Sequence, residues 1–178
     1  MAYTFSIQPL YSHPQTIAAL ADLLIETVAN GGSVSFMHPL APEQAIAFWE
    51  QSLAAAGRGE RVVLGAMEGD SLLGTVTLLL DCPPNQPHRA EIAKMMTRVG
   101  RRNQGIARAL ALEAERIAME RGKTLINLDT AADEGAAGFY EKLGYLKAGE
   151  IPDYALKPHG GLTATILYYK RIGPAGGA

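Results

Sequence analysis

"RRNQGIARAL", residues 101–110, sets two arginines, an asparagine and a lone glycine directly before an apolar run at helical spacing. A helix starting at Gln104 or Gly105 leaves its first amide N–H groups without intrahelical partners, and they point back toward whatever precedes the helix. Gly105 lets a ligand approach the backbone closely, and Asn103 is among the few non-glycine residues that tolerate positive φ. The macrodipole adds about half a positive charge at this end. Arg101, Arg102 and Arg108 surround the same spot with fixed charge whose planar fork suits phosphate oxygens. The stretch therefore reads as an anion socket. Taken alone, such a turn is more often a solvated basic helix start than a phosphate site. It lacks the G-x-x-x-x-G-K-[ST] of nucleoside triphosphatases and the three-glycine dinucleotide fingerprint, so neither ligand class explains it.

The flanking segments make the socket part of a βαβ unit. "RAEIAKMMT" (89–97) precedes it as a strand, the helix runs to about Arg121 with Gly122 as its stop, and "TLINLDT" (124–130) follows as a second strand. A crossover helix of this kind makes the two strands parallel and covers one face of the sheet. Before this unit, "YTFSI" alternates as a strand that Pro9 ends, and helices are expected from Pro14 to Asn30 and from Pro42 to Ala56. "RVVLGAMEGDSLLGTVTLLL" is a hairpin about "EGDS". After it, "DEGAAGFYEKL" is a helix closed by Gly144, and "YLKAGE" and "TATILYYKRI" are strands around a long polar loop. The expected fold is a central mixed, mostly antiparallel sheet with one parallel pair and about four helices, in one domain over residues 1–172 with a disordered tail at 173–178.

Composition narrows the class. The 178 residues are 48% hydrophobic and 19% charged with a formal net charge of −2, which offers no global attraction to nucleic acid or an anionic membrane. The single cysteine, Cys82, excludes an intrachain disulfide, and the four histidines are scattered without metal-ligand spacing, so no metal site is expected. With no apolar run of about 18 residues and no basic leader at "MAYTFSIQPL", the expected compartment is the cytoplasm.

The pattern R-x-x-G-x-A at Arg102–Ala107, followed by "LDT" and "GFYEKLGY", resembles the GNAT superfamily of acyl-CoA-dependent N-acetyltransferases, and the order of elements agrees. "ETVANGGSVSFM", "RAEIAKMM", "LDTAADEGAAGFY" and "GEIPDYALKPHGGLTATILYYK" are most similar to its tabtoxin-resistance acetyltransferase group. The resemblance implies that acetyl-CoA is the acyl donor. Its pyrophosphate would sit in the socket on backbone N–H groups of Arg102, Asn103, Gln104, Gly105, Ile106, Ala107 and Arg108, and its pantetheine arm along the strand edge at Met95, Met96 and Thr97. Asp133 stands where an asparagine often contacts the cofactor; its other reading is a helix cap.

Acyl transfer from a thioester to an amine needs a neutral amine, a stabilised oxyanion and a proton for the departing thiolate. An amine of pKa about 10.4 is neutral in only on the order of one molecule in a thousand at pH 7. Glu91, charged in mid-strand, and Asp129, at the carboxyl end of the parallel strand, are the candidate bases, directly or through water. The resemblance matches Tyr140 to the family's general acid, and a tyrosine with pKa about 10 stays protonated at pH 7. An oxyanion donor is expected from a backbone N–H near Thr97. Phe36, Met37, Tyr154 and His159, on the loops "GGSVSFMHPL" and "PDYALKPHGG", are the candidate lining of an acceptor pocket, against a reading as simple packing residues.

The expected partner is a small-molecule amine, with the subgroup pointing to an amino-acid-like toxin or antibiotic, in a monomer or homodimer. A catalytically idle acyl-CoA-binding module and an acetyltransferase acting on protein N-termini or lysines are the alternatives.

Overall fold

The computed structural model describes residues 4–134 and 137–173. Seven strands form one sheet in the order β1-β2-β3-β4-β5-β7-β6. β1 (Ser6–Pro9), β2 (Arg61–Glu68), β3 (Ser71–Leu79) and β4 (Arg89–Thr97) pair antiparallel in succession. β5 (Leu125–Ala131) joins β4 in the sheet's one parallel pairing, and β7 (Leu162–Arg171) and β6 (Leu146–Leu156) complete it antiparallel. Helices α1 (Pro14–Ala29) and α2 (Pro42–Gly57) open on prolines, whose missing N–H costs nothing in a first turn. The sheet and its four helices thus have the mixed architecture expected from the sequence.

Each sheet face has its own core. On one face α1 and α2 bury Leu20, Leu24 and Trp49 with Val63 and Met96. On the other, α3 (Ile106–Glu120) and α4 (Ala137–Lys142) cover Leu64, Val76, Ile92, Ile126 and Leu128. An ion pair fastens α3 to β7: Lys170 Nζ donates to Glu115 at 2.7 Å and to the Leu143 carbonyl at 2.8 Å.

β3, β4 and α3 are forced close together at Gly74. A Cβ there would lie 2.8 Å from the Met96 carbonyl and 2.9 Å from Ile106 Cγ2. Just before that contact β4 bulges: the register with β3 shifts between Thr75 and Thr77, and Lys94 takes φ 52°. A bulge reverses which face later side chains occupy. Ile92 accordingly packs toward α3, whereas Met96, an even number of residues on, packs toward α1 and α2.

Four boundaries differ from the sequence reading. β1 includes Pro9, which an edge strand tolerates on its unpaired side, and Tyr3 lies outside the described residues. α3 begins at Ile106, because Gly105 at φ 81° is its left-handed N-cap. The helix expected over 133–143 is a short 3₁₀ turn at Ala132–Glu134 followed by α4. The first half of "PDYALKPHGG" is strand: β6 continues to Leu156, absorbing Pro152 and Asp153 (φ 52°) in a bulge between Ile151 and Ala155. Only the turn after Leu156 is loop, closed by Lys157 N–H to the Gly161 carbonyl at 2.9 Å. The expected tail lies, except for Gly173, outside the described residues.

Candidate active site

The parallel pairing of β4 and β5 is short. Arg89, Ala90 and Glu91 match Leu125, Ile126 and Asn127, and there it stops, although β4 stays paired with β3 as far as Thr97. Beyond the bulge the two strands diverge, and the edge of β4 at residues 95–97 faces an opening. A cleft of about 520 Å³ fills this opening. Its walls are residues 95–97 of β4, 101–103 and 105–108 at the start of α3, Thr130 of β5, Phe139 and Tyr140 of α4, and Thr27 and residues 32–34 beyond α1.

The α3 end of the cleft is built for an anion. Asn103 at φ 61° and Gly105 at φ 81° bend the chain into the helix, and its N-cap, a glycine, offers no side chain to the first N–H groups. A 3₁₀ turn at Val99–Arg101 leads in, held by Glu26 of α1. Glu26 accepts from Arg98 Nη1 at 2.6 Å and from the Val99 N–H at 2.7 Å. Partial burial opposes its charge, but these two donors outweigh burial and hold its pKa below the usual carboxylate value. Arg101, although in the wall, is neutralised by Glu68 at 2.6 Å. Arg102 and Arg108 have no ion-pair partner among the described residues, so their charge remains available to a ligand.

Tyr140 marks the other end. The residue is only 6% exposed, with its ring against Phe139, Tyr145 and Tyr168 at centroid separations of 4.9, 5.7 and 6.1 Å. The tyrosine is thus both a core aromatic and a cleft residue. Burial first, and then the Asp129 charge, push its pKa well above the ordinary tyrosine value.

Glu91 and Asp129 occupy the face of β4 and β5 opposite α3. Glu91 is tied to Arg89 Nη1 and Asn127 Nδ2, each at 3.3 Å. Asp129 is exposed and accepts from Thr165 Oγ1 at 2.9 Å. Two other sequence candidates stand apart from the cleft wall: Gln104 is exposed, and Asp133 pairs with Lys157 at 2.6 Å, which lowers its pKa.

The loop after α1 and the β6–β7 turn do meet, as the His38 N–H donates to the Pro158 carbonyl at 2.9 Å. His159 Nε2 lies 3.0 Å from the Ala29 carbonyl and its ring 4.5 Å from that of His38, while Phe36 stacks edge-on to Phe48 at 5.2 Å. Met37 and Tyr154 are exposed, 46% and 56%, and none of these four candidates lines the cleft. Sequence reasoning passed over Ser33, Val34, Thr130 and Phe139 in the wall, and Lys94 on the acid-bearing face. The signal available was a second charge, Lys94, inside the strand "RAEIAKMM". Among the described residues no three His, Cys, Asp or Glu side chains converge as a metal site, and no helix is long and apolar enough to cross a membrane.

A split parallel pair with a helix N-terminus at its mouth defines a class, and the comparisons agree. The sequence model of the acetyltransferase (GNAT) family matches residues 22–145, and the chain belongs to that family. Its fold is similar to a ribosomal-protein-alanine N-acetyltransferase from Brucella melitensis (TM-score 0.80, 19% identity, 94% of this chain and 99% of that one). It is also similar to an N-acetyltransferase from Staphylococcus aureus Mu50 (TM-score 0.77, 18% identity, 93% and 98%). An aminoglycoside 6'-N-acetyltransferase complexed with coenzyme A superposes with a TM-score of 0.74 at 21% identity, covering 97% and 99%.

Proposed function

We propose that this chain transfers the acetyl group of acetyl-CoA to a primary amine of a small molecule, with the amino-acid-like acceptors of the tabtoxin-resistance group as the nearest analogy. The observation that carries this reading is the cleft itself, with helix N–H groups that no N-cap side chain bonds and two arginines without an ion pair among the described residues at one end, and a buried tyrosine at the other. Those donors fit a diphosphate, and the freed edge at Met95, Met96 and Thr97 fits an amide-bearing arm that needs backbone partners. Acetyl-CoA supplies the activated acyl group as a thioester.

The remaining tasks fall to this chain. Asp129, whose one side-chain hydrogen-bond partner among the described residues is the neutral Thr165 hydroxyl, takes the proton of the acceptor ammonium, directly or through water. Glu91 adds negative charge to the same face while held by Arg89 and Asn127. As the C–N bond forms and the C–S bond breaks, Tyr140 gives its proton to the departing sulfur. Burial and the Asp129 charge raise its pKa, so the proton is in place at neutral pH when the sulfur departs. A backbone N–H near Thr97 faces the developing oxyanion.

The test is release of free thiol from acetyl-CoA across a panel of amines. Wild-type protein should turn over at least one amine, and Tyr140→Phe should lower kcat by about 100-fold or more, the usual worth of a positioned acid, with coenzyme A affinity within about twofold by calorimetry. Acetyl-CoA binding with no turnover of any amine would instead mark an acyl-CoA-binding module.

A further inference from the structure

Lys94 has no part in the chemistry above, yet it is the most constrained charge on the acid-bearing face. It sits in the β4 bulge at φ 52°, and its Nζ donates to Ser35 Oγ at 3.0 Å, where Ser35 is itself at φ 74°. Left-handed backbone is costly for both residue types and persists only where surroundings enforce it; such residues gather at ligand sites. The ammonium lies 5.6 Å from the Phe48 ring centroid. Burial lowers its pKa, and the charges of Asp129 and Glu91 act in the opposite direction.

A census of charge on this face isolates two groups. Glu91 is compensated by Arg89 at 3.3 Å. Among the described residues, the Asp129 side chain has only the neutral Thr165 hydroxyl, and the Lys94 ammonium only the Ser35 hydroxyl and the Phe48 ring. Among the described residues neither Asp129 nor Lys94 is within ion-pair distance of any opposite charge, although the Asp129 charge acts on Lys94 from further off. The Asp129 charge also acts on Tyr140, so both the tyrosine and the lysine lie within its field. An anion and a cation held apart, each satisfied only by neutral dipoles, are complementary to a ligand carrying both charges in the opposite order.

We infer that Lys94, with the Ser35 hydroxyl, binds a carboxylate or equivalent anionic group of the acceptor, making the acceptor a zwitterion whose amine lies within a few bonds of that anion. The amine then faces Asp129 and the cleft, and the anion faces away from it. Lys94 is a specificity-determining residue, and the inference rests on the N-acetyl transfer proposed above.

The experiment compares free amino acids with their methyl esters as acceptors, for wild type, Lys94→Met, Lys94→Gln and Lys94→Arg. Wild type should favour the free acids in kcat/KM by about 10- to 100-fold, the range of a charge-assisted hydrogen bond. Both neutral variants should bring that ratio close to one, chiefly through KM, and Lys94→Arg should keep part of it. Coenzyme A affinity, read by calorimetry, reports that each variant is folded. Esters used as well as free acids by wild type, or neutral variants that lose kcat on both acceptors alike, would overturn the inference while leaving amine acetylation intact. No amine turned over by wild type would overturn the parent reading and this one together.

Discussion

Tyr140 shows how one residue serves packing and chemistry together. Its ring belongs to the aromatic cluster with Tyr145 and Tyr168, and the same burial raises its pKa. The sign follows directly: a group with a raised pKa keeps its proton at higher pH, so an acid role survives into alkaline solution. The kcat profile should therefore show no alkaline decline assignable to this tyrosine between about pH 7 and 10, the range in which an ordinary tyrosine begins to ionise. A fall centred below pH 9 that disappears in Tyr140→Phe would contradict this. Gly74 makes a different kind of prediction. An added methyl there meets a carbonyl oxygen of the neighbouring strand, which cannot swing aside like a side chain. Gly74→Ala should cost about 1–3 kcal/mol by overpacking, read from denaturant midpoints, and should weaken coenzyme A binding because Met96 and Ile106 both belong to the cleft wall.

The cleft depends on how elements are joined. α1 reaches the approach to α3 through one carboxylate, Glu26, which holds Arg98 and the Val99 N–H. Because the folded pKa of Glu26 is depressed, its contribution is present above the unfolded carboxylate value and is lost as pH falls through the folded one. Glu26→Gln should thus melt below wild type at pH 7, with the gap closing as pH falls below the ordinary glutamate value of about 4.3 and on through the depressed folded one; a gap that stays constant for as long as the acid limb of folding can be followed would show that charge is not its basis. At this scale the sequence is legible wherever local chemistry decides: prolines open α1 and α2, Gly122 at φ 71° follows α3, and two β-rich runs about the turn "EGDS" mark β2 and β3. It misleads where tertiary pairing overrides local preference. Pro152 and Asp153 argue for a loop, but an edge strand paired on one side accommodates them in a bulge. Lys94 is unreadable for a related reason. Nothing in "RAEIAKMM" announces a positive φ at lysine, and the bulge alters which side chains share a face. The socket needed no such knowledge, since an uncapped helix start after Asn103 and Gly105 is written in consecutive residues.

At the scale of the molecule, the cleft draws on elements that otherwise belong to separate cores. Met96 is buried with α1 and α2, Tyr140 and Ile106 with α3 and α4, and all three line one opening through the sheet. A ligand filling it bridges both layers where the β4–β5 ladder has ended and no backbone pairing holds the strands together. Binding to the folded state alone stabilises it by about 2.7 kcal/mol at a ligand concentration 100 times Kd, a rise in Tm of roughly 5–10 °C for a chain of this size. Thermal melts across an acetyl-CoA series should show that rise, growing with the logarithm of concentration. Removing the charges of Arg102 and Arg108 should shift the series to higher concentration with little change in the melt of the free protein, because among the described residues neither arginine has an ion pair to lose and Arg102 acts on Glu26 only through its field. The Lys94 variants should follow the wild-type series, since that lysine lies outside the cleft wall. A melting temperature indifferent to acetyl-CoA would mean that the opening between β4 and β5 does not hold it, and the roles assigned to Tyr140 and Asp129 would fall with it.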